Sequence, residues 1–550
     1  MFNLVVGANN CCPKEPVSNY LTCIHQGGFY MSKNTKADMF VDIVALHSEV
    51  TGSLNLCIVR LPNQETHKFI VDCGLFQEEK YQRENYYFPF DPHEIEFVLV
   101  THNHIDHIGR IPKLYKDGFS GPTYASSTTA ELMPYALNNT AEIFEASSSA
   151  NQSKIKRALP DSSIPVYLSN MMSAPLFDKD DVSFAMDNVY GVEFNRRVKI
   201  TPNISVMFAA NGHLLGAASI LVTISYPGQR SINLFFSGDY AKTNMFFDVK
   251  AMPKNIYTVP VTIIEESTYG TTSIDTINYV FDNNLIESMK LNHTFVIPVF
   301  ALGRTQEILL KLKRLQESGI LDKRIPIYLD GNLAQSYTSF YTHHKKLLRL
   351  DARDFLPENL NYVHDFEARQ ILIRQHGPKI ILTTSGMGSY GPAQFYLPYY
   401  ITRKDATIHF CGYTTPNTFG RILQDTPLGE ILDIKGVMVE KGASVLTTNE
   451  FSGHGKKEDL LDSISLFSDV KSVLVNHGEK QTKRSFAQEV ESTIHPSKGV
   501  EVLGPETYVR VGPFGIIKTF PVTDLKFKSY DTTTYNKAKQ KTRPVRRKKQ

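Results

Sequence analysis

One short run constrains this chain more than any other: Thr101-His102-Asn103-His104-Ile105-Asp106-His107. It follows Ile95-Glu96-Phe97-Val98-Leu99-Val100, an apolar stretch that reads as a buried strand. Three histidines and an aspartate therefore crowd the turn at the end of a rigid element. Imidazole and carboxylate are ligands that zinc prefers, and a pair of metals needs more than one histidine. Alternation points His102 and His104 one way, and Asp106 and His107 curl past them, which suits two metals side by side. Histidine-rich turns also arise by chance, but this spacing directly after a strand outweighs that reading.

A two-metal site needs ligands from further strand ends, and the chain offers them in order. Val206-Met207-Phe208-Ala209-Ala210 leads into Asn211-Gly212-His213. Asn233-Leu234-Phe235-Phe236 leads into Ser237-Gly238-Asp239, and Val473-Leu474-Val475 into Asn476-His477-Gly478. Each places a histidine or aspartate just after an apolar run, with a glycine that lets backbone approach closely. Any one of them alone is more often a turn residue.

This ordered set resembles the metallo-β-lactamase fold. Asp72, in Phe69-Ile70-Val71-Asp72-Cys73-Gly74, matches that fold's first motif, and His47-Ser48-Glu49-Val50-Thr51-Gly52-Ser53 resembles its first turn. More specifically the chain resembles the β-CASP branch, whose members act on nucleic acid. Glu266, in Glu265-Glu266-Ser267-Thr268-Tyr269-Gly270, matches the branch's acidic motif A. His454, in Phe451-Ser452-Gly453-His454-Gly455, matches motif B, and His477 matches motif C in its histidine form, the RNA-processing form. Ile297 to Glu307 and Thr384-Ser385-Gly386-Met387-Gly388 are similar to core segments of the β-CASP insert. The resemblance runs from about residue 40 to 520, and its implied relatives are prokaryotic RNases similar to the mRNA 3′-end processing endonuclease.

The resemblance implies an α/β architecture: an αββα metallo-β-lactamase sandwich carrying an inserted α/β β-CASP domain. It implies that His102, His104 and His213 hold one metal, that Asp106, His107 and His477 hold another, and that Asp239 bridges them. The expected reaction is hydrolysis of RNA phosphodiester bonds by a metal-bridging hydroxide, endonucleolytic and on single strands. His454 is the candidate acid for the leaving ribose oxygen, Glu266 its orienting partner, and Asp106 a further catalytic candidate. Asp72 is expected to fix a metal-bound histidine rather than to bind metal itself. Arg304, Ser385 and Gly386 are candidate substrate-phosphate contacts, with a structural salt bridge the competing role for Arg304. Two zinc ions are the expected cofactor, since His104 stands where iron-binding relatives carry Glu. The mixed nitrogen and oxygen donors leave manganese and magnesium open.

Some positions depart from the branch pattern. Ser-Thr-Tyr-Gly is followed by Thr271-Thr272-Ser273-Ile274-Asp275 rather than by Asp-Arg and a histidine. Asp330-Gly331-Asn332 replaces a usual Asp-Ser-Pro, and Asn417-Thr418-Phe419-Gly420-Arg421 a usual Gly-Thr-Leu-Gly-Arg. These changes spare the ligand positions and fall where substrate is gripped. No GxxG RNA-clamping module is evident.

At 550 residues two intimate domains are the fair expectation. The order of motifs divides the chain into an extension (1–38), a first metallo-β-lactamase part (39–265), the β-CASP insert (266–427), a return to the first domain (428–530) and a basic tail (531–550). Within the insert, helices are expected over 275–290 and 303–318. Strands are expected at 294–299, 325–329 and 380–384, forming a parallel sheet. Residues 145–165, with Ser147-Ser148-Ser149, read as loop or helix end. Met31-Ser32-Lys33 reads like a natural translation start. No apolar run approaches the ~18 residues of a membrane span, and no signal-peptide pattern opens the chain, so the expected location is cytoplasmic. The six cysteines lack disulfide or zinc-finger spacing, and Cys57 and Cys73 read as core thiols. Net charge is +3, yet the last 14 residues hold eight lysines and arginines and no acid. That tail is either a solvated segment or a tether for the phosphate backbone of RNA. RNA is the expected partner, with a homodimer a further expectation because dimers are common in such enzymes. Two other readings remain: a small-ester or thioester hydrolase, and a non-catalytic RNA-processing scaffold. The large insert speaks against the first, and the filled ligand positions against the second.

Overall fold

The computed structural model describes residues 38–47, 50–77, 79–158, 174–412, 414 and 418–525. The readings made for residues 1–37 and for the basic tail lie outside them. Strands buried at nearly every position build two large mixed sheets. The first has eight strands and runs from the hairpin Thr507–Gly512/Gly515–Pro521 through Phe40–His47, Leu54–Arg60, Thr66–Val71, Phe97–Leu99 and Thr123–Ser126 to Val189–Val192. The second has seven, with Val470–Val475, Val261–Glu265 and Ile232–Phe236 side by side at its parallel end.

The two sheets pack face to face. Val41, Ile43, Cys57, Phe69 and Phe97 of one meet Val206, Phe208, Ile220, Leu234 and Phe236 of the other in a single buried cluster. Phe69 and Phe97 stack with ring centroids 4.8 Å apart. Helices cover the outer faces, as when Leu460, Ile464, Phe486 and Val490 cap Val473 and Val475. This is the αββα sandwich, in which each sheet buries one face on its partner and the other on helices.

The insert has its own six-stranded sheet, ordered Leu360–Val363, Ile327–Asp330, Lys379–Thr383, Thr294–Pro298, Ala406–Phe410, Ser444–Thr447 and parallel throughout. The inner strands Thr294–Pro298, Lys379–Thr383 and Ala406–Phe410 are buried on both faces, which explains their continuous apolar runs. The expected helices appear as Phe281–Lys290, preceded by the 3-10 turn Ile274–Thr276, and as Arg304–Glu317. Two details differ from the sequence reading. Ser444–Thr447 pairs with Ala406–Phe410, so the inserted sheet reaches beyond the boundary expected at 427. The serine-rich stretch after residue 145 continues the helix Ser127–Ala158; residues 159–173 lie outside the described residues. Among the described residues no helix is long and apolar enough to cross a membrane.

Candidate metal centre

The ligand-type side chains follow the carboxyl ends of strands. Asp72 succeeds Thr66–Val71, and His102 comes shortly after the parallel neighbour Phe97–Leu99. Asp239, Glu266 and His477 come just after Ile232–Phe236, Val261–Glu265 and Val470–Val475, which are parallel neighbours. His213 follows Ile204–Ala210. Parallel strands place such ends along one edge, so residues as distant in the chain as Asp72 and His477 converge there.

The convergence is tight. His102, His104, His213 and Asp239 offer donor atoms that all lie within 4.8 Å of one another, as do Asp106, His107 and His477. Asp239 stands between the groups. Its Oδ2 is 3.5 Å from His102 Nε2 and 3.7 Å from His213 Nε2, and its Oδ1 is 3.3 Å from His107 Nε2 and 3.5 Å from His477 Nδ1. His104 Nδ1 lies 3.2 Å from His102 Nε2 and 3.1 Å from His213 Nε2.

Four of the rings are held from behind. His107 Nδ1 donates to Asp72 at 2.8 Å, and His213 Nδ1 to the Gly453 carbonyl at 2.7 Å. His102 Nδ1 is 3.0 Å from the Thr101 hydroxyl, which itself donates to Asp72 at 2.8 Å. His477 Nδ1 is 3.1 Å from the Thr268 hydroxyl. For His102 and His213 these bonds place the proton on Nδ1 and leave the inner Nε2 with its lone pair. Asp72 and His477 adopt positive φ, 61° and 39°, a conformation that non-glycine residues keep where a site demands it.

The electrostatics suit cations. Burial, then the neighbouring imidazoles, push His104 and His213 down to about 3 and His102 well below its ordinary value. All three rings are neutral at pH 7. Burial alone would raise Asp239, but His107, His477, His102 and His454 outweigh it and hold the carboxylate charged. Burial opposes charge on His107 as well, but Asp239 and Asp72 pull it well upward, so metal binding there must displace a proton from Nε2. His107 Nε2, Asp239 Oδ1 and His477 Nε2 are buried with no hydrogen-bond partner. Buried polar atoms are normally satisfied, and three aimed into one cluster of nitrogen and oxygen donors fit divalent metal.

Beside this cluster, His454 Nδ1 lies 3.0 Å from both oxygens of Glu266, and its Nε2 faces Asp239 Oδ2 at 3.8 Å. Glu266 also accepts the backbone N–H groups of Tyr240 and Thr268. Burial disfavours charge on His454, but Glu266 and then Asp239 overcome it and lift the imidazole to about 9. A cavity of about 410 Å³ opens alongside, lined by Gly212, Asn244, Glu307, Ser452 and Gly453 among others.

The three candidate substrate contacts are not members of the ligand-type groups. Arg304 is nine-tenths buried; its Nη1 donates to the Cys411 carbonyl at 2.5 Å and its Nε lies 3.5 Å from Glu307. The ion pair with Glu307 is a contact of the kind the competing structural role requires. Ser385 and Gly386 follow the strand Lys379–Thr383, with Gly386 against the Phe300 ring. The sequence reading missed Thr101, Thr268 and Gly453 as ring-holding partners. Adjacency to His102 was a usable signal for Thr101. Gly453 acts through its carbonyl and carries no residue-type signal.

Three family models match the chain: "Metallo-beta-lactamase superfamily" over residues 56–167, "Beta-Casp domain" over 305–423 and "Zn-dependent metallo-hydrolase RNA specificity domain" over 439–502. Among curated relatives, Ribonuclease TTHA0252 of Thermus thermophilus is 29% identical over 452 residues, 79% of this chain and 91% of that protein. Transcription termination factor FttA of Methanosarcina mazei is 27% identical over 488 residues, 83% of this chain and 70% of that protein. The RNase J-like protein of Methanocaldococcus jannaschii is 29% identical over 420 residues, 75% of this chain and 89% of that protein. With its sandwich, its parallel insert and its converging histidines, the chain belongs to the β-CASP family of metallo-β-lactamase-fold proteins.

Proposed function

We propose that the protein is a dinuclear metal-dependent endoribonuclease acting on single-stranded RNA. The observation that carries this reading is Asp239, whose two oxygens face two separate ligand groups beside the His454–Glu266 pair. His102, His104 and His213 would hold one zinc ion and Asp106, His107 and His477 the other, with Asp239 between them. When bound, such metals lower the pKa of coordinated water and offset charge on the phosphate oxygens.

The chain's own groups supply the rest. Glu266 fixes the His454 ring so that Nε2 faces the cluster, and keeps it protonated. His454 Nε2 then delivers its proton to the departing ribose oxygen. Asp72 holds His107 and, through Thr101, His102. The neighbouring cavity has room for nucleotides, and Ser385 at the mouth of the parallel sheet is the proposed phosphate contact. The names of the ribonuclease relatives and the RNA specificity description of the matched model support RNA as the substrate. Because the His454–Glu266 pair suits an alkoxide leaving group, phosphodiesters are favoured over thioesters.

The test is cleavage of end-labelled single-stranded RNA by zinc-loaded protein beside the His102→Ala/His104→Ala variant. Internal products from the wild type alone support the reading. No cleavage by metal-loaded wild type refutes it.

A further inference from the structure

The helix Asn332–His343 belongs to the insert, yet two of its hydroxyl groups reach the loops that carry the first ligand group. Tyr337 Oη accepts a hydrogen bond from Asn103 Nδ2 at 2.8 Å. Asn103 lies between His102 and His104 in the chain. Tyr341 Oη meets the backbone of Leu215, two residues beyond His213. Tyr337 and Tyr341 are four residues apart and so share one face of the helix. Both are almost wholly buried, as is Asn103.

The surroundings make this a rigid seat. Phe246 packs edge-on against Tyr341 with centroids 5.1 Å apart, and its N–H donates to Asn244, which also grips the Gly212 carbonyl. Thr338, between the two tyrosines, accepts from Gln306 of the neighbouring helix Arg304–Glu317. Asn103 Oδ1 has no hydrogen-bond partner, so Tyr337 is the group that anchors this side chain. Of the second group, the loop of His477 receives no hydrogen bond from this helix among the described residues, and Asp106 and His107 are reached only through the run they share with Asn103.

We infer that Tyr337 and Tyr341 are positioning residues that set the geometry of the His102, His104 and His213 group from the insert, so that the insert's seating and metal binding at that group are coupled. The inference rests on the proposed metal-binding role of the three histidines. The rings of His102 and His213 are held by Thr101 and Gly453, and the tyrosines add a hold on the Asn103 side chain and on the Leu215 backbone in the same loops. Removing a hydroxyl leaves a buried Asn103 or Leu215 donor unpaired and frees its loop to shift. Coupling of this kind is reciprocal: metal at the trio must also tighten the helix.

The experiment titrates metal-free protein with Co2+ and follows its visible absorption, in two backgrounds. His477→Ala removes a ligand of the second group and leaves the trio to report; His213→Ala does the converse. Tyr337→Phe and Tyr341→Phe are introduced into each. The expected result is Co2+ binding weakened roughly tenfold, with an altered spectrum, in the His477→Ala background, and a smaller loss in the His213→Ala background. Tyr337→Phe combined with Asn103→Ala should lose no more than Asn103→Ala alone. Metal should also slow amide hydrogen exchange within 332–343 in the wild type, and less so in Tyr337→Phe. Equal affinities and spectra with and without the hydroxyls, in proteins whose circular dichroism shows them folded, overturn the inference while leaving the metal site standing. Failure of the wild type to bind Co2+ overturns the metal reading and the inference with it.

Discussion

His454 stands with its Nδ1 3.0 Å from both carboxylate oxygens of Glu266, a residue 188 positions earlier in the chain. The carboxylate is itself fixed by two backbone N–H groups, so the ring cannot turn without breaking the bond. One nitrogen is thus committed to orientation, and the other to the cluster.

This pairing sets the pH dependence. Glu266 and Asp239 raise His454 to about 9 against the effect of burial, so its acid form is present below that value and is lost as pH rises through it. Metal in the site draws on Asp239 and adds positive charge, which leaves Glu266 as the carboxylate that sustains the imidazolium. The basic limb of the kcat profile should therefore lie at or below about 9 and move to lower pH in Glu266→Gln. The rate at its optimum should fall by about 10²–10⁴-fold in His454→Ala. An unmoved limb in Glu266→Gln would detach the pair from catalysis.

Asp72 serves two ligands at once, accepting from His107 Nδ1 and from the hydroxyl and N–H of Thr101. Asp72→Ala should weaken metal binding by about 10- to 100-fold. Competition with a chromophoric chelator measures it; if Asp72 were only a turn residue, affinity would stay and thermal stability alone would drop.

Gly74 lies where a Cβ would sit 1.4 Å from the Asp106 carbonyl oxygen. No side chain fits without moving the Asp106–His107 backbone, which Cys73 and Ser53 hold by N–H bonds to the His107 and Asp106 carbonyls. Gly74→Ala should yield a folded protein that binds one equivalent of metal rather than two. Elemental analysis after gel filtration reads this directly.

Arg510 joins the late hairpin to the first described strand. Its guanidinium meets both oxygens of Asp42 at 2.7 and 2.9 Å, and Asp42 is buried. Arg510→Ala strands that carboxylate between Leu54–Arg60 and Thr507–Gly512. The loss should be about 2 kcal/mol, below the 3–5 of a fully enclosed pair, because Arg510 is part-exposed. Chemical denaturation of the metal-free protein tests it.

The convergence of the candidate ligands was legible because these residues follow apolar strands in a fixed order, and the parallel ends of Ile232–Phe236, Val261–Glu265 and Val470–Val475 bring them together. The supporting contacts were less so. Gly453 reaches His213 through a backbone carbonyl across 240 positions, and Tyr337 reaches Asn103 across 234. Neither follows from local periodicity. The run Ser147-Ser148-Ser149 looked like a helix end by propensity. It remains helical because the same helix buries Leu137, Ala141 and Ser148, and tertiary packing overrides weak intrinsic preference. The short strand Ser444–Thr447 could pair with either domain by composition, and its pairing with Ala406–Phe410 is settled by the parallel edge that strand offers.

The most direct test of the account is incubation of a circular single-stranded RNA with protein stripped of metal and then reloaded with two equivalents of zinc. The account predicts that the circle is opened, that chelator stops the reaction, and that Asp239→Asn abolishes it while remaining folded. A circle left intact by the reloaded protein while linear RNA is degraded from its ends would contradict the endonuclease assignment. Intact RNA of both kinds would contradict the nuclease assignment itself.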